Sequence, residues 1–205
     1  MRGDPMTPQP DLVAAAFHWL EYLGLLGAIG SLVVMRLGGM SPKIGWARPP
    51  LLVAVAAAVV GVLGLLLFAR SSILVRPDLL AIVHVLSAGT WAGGILTLAS
   101  LRPPGGWAAR DARDLVERFG RVAVIAFVVT AMTGLLRATE KLADIDSLWS
   151  TEYGVVLSLK VAGVAAMLVL ALLWRRGGAW ARLDAGLAVI VVGLTALLAA
   201  FPAQA

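Results

Sequence analysis

PLLVAVAAAVVGVLGLLLF, residues 50–68, runs nineteen positions without a charged or strongly polar side chain. A helix that is apolar on every side has no wet face to offer, and crossing ~30 Å of hydrocarbon takes roughly 20 such residues. Five further stretches meet the same requirement: Leu12–Leu37, Leu79–Leu101, Arg121–Ala138, Tyr153–Leu173 and Leu183–Phe201. Composition agrees, with 60% hydrophobic and 14% charged residues and a mean hydropathy of +0.90. No stretch alternates with a period of two, so the reading is an all-α, polytopic membrane protein built as a six-transmembrane-helix bundle.

Lysine and arginine set the expected orientation, because they collect on the cytoplasmic side of short loops. The segments after spans one, three and five carry eleven of them: Arg36, Lys43, Arg48, Arg102, Arg110, Arg113, Arg118, Arg121, Arg175, Arg176 and Arg182. The other side carries five: Arg2, Arg70, Arg76, Arg137 and Lys141. Both termini are therefore expected outside, with the N-terminal stretch retained. The net charge of +5 reflects this bias and points to anionic lipid rather than nucleic acid as the partner of the basic surface. The chain has no cysteine, which excludes disulfides, thiolate metal sites and thioether-linked haem.

Between spans, Pro103-Pro104-Gly105-Gly106 breaks the chain, and Trp107–Gly120 has the pattern of a short amphipathic helix lying on the cytoplasmic surface. The outer segment Glu140–Glu152 is acidic, with Asp144 and Asp146. It reads as a solvated loop or as a receiver of cations.

The chain has two histidines, and both fall inside spans. An ionisable residue at membrane depth is costly enough to mark a functional site. His18 lies six residues into span one, His84 five into span three and Lys160 seven into span five, so all three sit ~8–11 Å below the outer boundary. Glu21, one turn beyond His18, and Glu140 at the rim are the carboxylates nearest in depth to Lys160 and its expected candidate partners. On span three His84, Ser87, Ala88 and Trp91 share a face, and span four supplies Thr130, Thr133, Gly134 and Arg137 at matching spacing. Either histidine could equally serve packing alone, by bonding a carbonyl or hydroxyl of the next helix.

Four runs resemble the CopD family of bacterial copper-resistance membrane proteins: HVLSAGTWAGG at His84–Gly94, RFGRVAVIAFVVTAMTGLLRA at Arg118–Ala138, LWSTEYGVVLSLK at Leu148–Lys160, and the apolar stretch ending LWRR at Arg176. The resemblance implies a non-enzymatic protein of the bacterial cytoplasmic (inner) membrane that moves copper between the exterior and the cytoplasm, often beside a soluble periplasmic copper-binding partner. It divides the chain into residues 1–77, a tail with two helices, and residues 78–205, a CopD-like four-helix domain. Residue by residue it points to His84, Trp91, Tyr153 and Lys160.

The chain lacks the methionine-rich tracts suited to soft Cu(I), and its family-like core holds one imidazole. A copper site would then combine His18, His84 and Glu21, a nitrogen and oxygen set that favours Cu(II). Trp91, Tyr153, Lys160, Arg137 and Met132 are the expected pocket or gating residues. Two other readings fit the same residues. His18 and His84 could be the axial ligands of a b-type haem in a membrane electron carrier, with Lys160 or Arg137 on the propionates. Alternatively, the chain could be a non-catalytic subunit of a larger membrane complex.

Overall fold

The computed structural model describes residues 10–69, 78–141, 147–174 and 180–201, and all of its regular elements are helical. Six helices carry the architecture: α1 (Leu12–Gly38), α2 (Leu51–Gly64, prolonged by a π-helical turn at Leu65–Ala69), α3 (Leu79–Ser100), α4 (Arg110–Lys141), α5 (Glu152–Trp174) and α6 (Trp180–Ala199). α1 to α5 each contain a segment long and apolar enough to cross a membrane, and α6 contributes a shorter one at Leu183–Ala199. The chain is a multi-pass helical membrane protein.

α1 is the hub. It packs along α2, α3 and α6 and touches α4. Where it crosses its neighbours the contact is backbone on backbone. A Cβ at Gly24 would overlap Ala58 of α2, one at Gly61 would overlap the Glu21 backbone, and one at Gly30 would overlap Gly93 of α3. In lipid, where apolar surface gains nothing by leaving the solvent, such close approach is what binds helices. A π-helical turn at Gly89–Gly93 interrupts α3 at the crossing, inserting one residue into the turn that carries Trp91.

The helix ends fix the layers. Asp11 caps α1 through the Val13 and Ala14 amides (2.9 and 3.1 Å), and its own N–H donates to the Ala200 carbonyl at the end of α6 (3.1 Å). Asp78 caps α3 at Ala81 and also accepts from Arg137 of α4 (3.3 Å), which joins those two helices at the same end. Toward the opposite end an apolar core fills the bundle, with Val34, Trp91, Leu98, Leu115, Phe119 and Met167 all buried.

One expectation fails. Trp107–Gly120 is not a separate surface helix, because α4 runs unbroken for 32 residues from Arg110. No proline stands between the surface segment and the span, and Gly120 within a helix costs only about 1 kcal/mol. The apolar stripe of the extension is buried: Ala112 and Leu115 are wholly covered, and the Phe119 ring lies over Gly94. Trp46 completes the docking, donating from Nε1 to Asp111 (2.6 Å) and meeting Trp107 edge to face at 6.4 Å.

The crossing of α1 and α3 should be the most substitution-sensitive feature of the bundle. Gly93→Ala places a Cβ on the Leu26 carbonyl and is expected to lower stability by about 1–3 kcal/mol. Gly186→Ala on α6, with open space around the added methyl, should be neutral or stabilise slightly. Thermal unfolding in detergent, followed by circular dichroism, compares the two.

Candidate functional site

His18 and Glu21 face each other one turn apart on α1, with Nδ1 3.3 Å from Oε2, and both are buried. The Tyr22 ring stacks on the imidazole at 5.5 Å. An ionised carboxylate can only accept, so in the neutral ring Nδ1 carries the hydrogen and Nε2 presents its lone pair.

His84 reaches the same state by a different route. Its Nδ1 lies 2.8 Å from the Thr133 hydroxyl on α4. That hydroxyl has one hydrogen, directed at the Val129 carbonyl (2.8 Å) with the Thr130 carbonyl nearby (3.1 Å). With the hydrogen so placed, its oxygen can accept from the ring, which leaves Nε2 as the lone pair. Gly134 makes room beneath the ring, since a Cβ there would stand 3.3 Å from Cε1. One turn along, Thr130 meets Ser87 at 2.8 Å, so α3 and α4 are joined by a ladder of hydroxyls ending at His84.

Among the described residues no three His, Asp or Glu side chains gather into a group able to hold a metal, so His18, Glu21 and His84 are not a preassembled three-donor site. Glu21 is engaged at the back of His18, and His84 is tied to α4. Nor does Glu21 form an ion pair with Lys160, for which the described residues supply no carboxylate partner. Local geometry explains this, because an i,i+3 neighbour on the same helix reaches the carboxylate without any helix having to move.

Lys160 is half-buried. It shares a helix face with Val164 and Met167, which pack into the core, so it projects inward. The Arg137 guanidinium is near enough to act electrostatically on Tyr22, His84, Tyr153 and Lys160, and Lys160 acts on His84. Tyr153 meets Phe201 edge to face at 5.9 Å. Trp91 is buried edge-on to Phe127 at 5.2 Å, and among the described residues its Nε1–H has no acceptor. Met132 stands apart from this set: it is 64% exposed, turned about 100° around α4 from Thr133. The Glu140 side chain, Asp144 and Asp146 lie outside the described residues.

Asp184 is a residue that sequence reasoning passed over. In the first turns of α6, just after three arginines, it reads as interfacial. It is wholly buried, and among the described residues neither carboxyl oxygen has a hydrogen-bond partner. Nothing local signals this, because α6 is covered by α5, α1 and α3, which the sequence around Asp184 does not encode.

Residues 113–198 match the model of the family described as CopD, copper resistance protein D. The match runs from the docked end of α4 into α6. It includes Arg137, Tyr153, Lys160 and Asp184, but it begins beyond His18, His84 and Trp91. It therefore extends past Arg176, where the resemblance stopped, and leaves out the His84–Gly94 run. No curated protein and no solved structure matches the chain.

Two substitutions probe these environments. Thr133→Val removes the acceptor of His84 Nδ1–H and is expected to cost about 1–2 kcal/mol. In ¹⁵N spectra of histidine-labelled protein, the His84 signals should change from a single Nδ1–H tautomer to a mixture. Asp184→Leu removes a buried carboxyl without partners and should raise thermal stability by about 1–3 kcal/mol. A fall in stability would mean that the carboxyl is compensated in the folded state.

Proposed function

We propose that this chain, whose residues 113–198 match the model of the CopD family of copper-resistance proteins, takes up copper from the outer side through His18 and His84. The observation that carries the reading is the shared state of the two imidazoles. Each is held at Nδ1 by a partner that can accept a hydrogen, and each keeps Nε2 for a ligand. Metal-binding histidines are commonly arranged this way, and a carboxylate behind the ring raises its basicity. Glu21 is then the residue that orients His18 and strengthens it as a donor, rather than a third ligand.

Two imidazoles leave a copper ion under-coordinated, and imidazole suits copper well. Remaining positions open to water or to donors of a soluble periplasmic copper-binding protein make the ion easy to receive and to release. Beyond the histidines the apolar core from Trp91 to Leu115 blocks the way. Passage toward the cytoplasm then requires that core to rearrange, with the basic ends of α1, α3 and α5 facing the inner side of a bacterial cytoplasmic membrane. A second reading is supported by the cations. Arg137 and Lys160 flank His84 and would suit the propionates of a haem held by His18 and His84, whereas they repel a bare copper ion.

Metal analysis and a visible spectrum of protein purified from copper-supplemented cells test both readings. Copper near stoichiometry in the wild type, lost in His18→Ala and in His84→Ala, is the expected result. A Soret band that disappears in the same variants would transfer the site to haem. Full copper retention by both variants would overturn the proposal.

A further inference from the structure

Asp184 is wholly buried, and among the described residues neither of its carboxyl oxygens meets a hydrogen-bond partner or a cation. It shares a helix face with Ala188 and Val191, which lie in the apolar core with Trp91, Leu98 and Met167. The Ala200 carbonyl, bonded to the Asp11 amide, marks the outer end of α6. Asp184 stands sixteen residues below it, ~24 Å along the helix. Against ~30 Å of hydrocarbon, that is the inner quarter of the membrane.

The helices packed on α6 bring no counter-charge to this level. α5 from Val161 to Trp174 and α3 from Gly94 to Ser100 contain no titratable residue, and beyond Tyr22 α1 has only Arg36, which is exposed. On α6 itself Arg182 stands two residues before Asp184. An ionised carboxylate buried without a partner is so costly that the group takes a proton instead. Water removes that cost. For Asp184 to ionise, the core around it has to part and admit water, and the inner side is the nearer source.

We propose that Asp184 is a proton-binding site in the inner half of the bundle: the closed core holds it as a neutral carboxylic acid, and opening of that core toward the inner side releases the proton to water. The O–H bond breaks heterolytically, its electron pair stays on the carboxylate, and no oxidant or reductant takes part. The closed form then binds one proton more than the open form. Linkage therefore favours opening as pH rises, by up to about tenfold in the open-to-closed ratio per pH unit. This deepens the copper reading by naming a control on the rearrangement that passage through the core requires. It rests on that reading for its use and not for its chemistry.

Two measurements on the full-length protein in detergent, both without copper, test the proposal. Infrared spectra at pH 6 should show the C=O stretch of a protonated carboxyl that disappears in Asp184→Asn. Because the chain has no cysteine, Ala188→Cys, one turn from Asp184 in the core, supplies a single thiol that a water-soluble maleimide reaches only when the core opens. Its labelling rate is divided by the rate in the Ala188→Cys, Asp184→Asn double variant at the same pH, which cancels the titration of the thiol itself. That ratio should rise about fivefold or more from pH 6 to pH 8. A carboxyl band that persists in Asp184→Asn, or a ratio that stays flat over this range, overturns the proposal. Should Asp184→Asn fail to fold, Asp184→Leu, expected to be the more stable, takes its place in both measurements, and Val191→Cys, close in size to the native residue, replaces Ala188→Cys in the same way. A protein that binds no copper still decides the proposal, while metal analysis decides the reading of the histidines.

Discussion

Glycine-mediated backbone contact along α1 is the constraint on which the rest of the bundle depends. Gly24, Gly30, Gly61 and Gly93 let α2 and α3 lie against the first helix with no side chain between them. Lipid gives apolar side chains no reason to leave it, so dispersion at close range has to supply the cohesion that water supplies in a soluble core. The consequence for the site is direct. Gly61 seats α2 on the Glu21 backbone, and Gly30 with Gly93 sets how far α3 stands from α1. Those two contacts hold the helices that carry His18 and His84.

The histidines show how a low-dielectric interior specifies chemistry with few groups. In each case Nδ1 faces an atom able to accept: a Glu21 carboxylate oxygen, or a Thr133 hydroxyl that lies within reach of main-chain carbonyls. The hydroxyl ladder between α3 and α4 fixes one ring across a helix interface, and the i,i+3 carboxylate fixes the other within a helix. A ligand meeting two prepared lone pairs does not have to supply the energy of reorienting them.

Charge around the histidines limits what can bind. Arg137 and Lys160 raise the potential around His84. Glu21 and the capping Asp78 are the carboxylates that moderate this field among the described residues near the site. At the other end of the bundle, Asp184 is buried without a hydrogen-bond partner among the described residues, an arrangement that lowers stability.

Run length and composition alone determined the class of this protein and the places where its helices cross, because hydrocarbon thickness sets a length that an apolar helix must match. A likeness to the CopD family was legible too, although the region that matches the family model lies further along the chain than the four runs indicated. Direction was only partly legible: the spacing of Thr130, Thr133 and Gly134 put them on one stripe of span four, but which helix that stripe would meet depends on packing. Tertiary structure decided that Glu21 serves His18 and not Lys160, that Met132 faces away, and that the segment before span four continues as one helix. It also decided that Asp184 is buried. Each of these turns on the rotation of one helix about its axis relative to another, which the side chains at the crossings set and no single segment encodes.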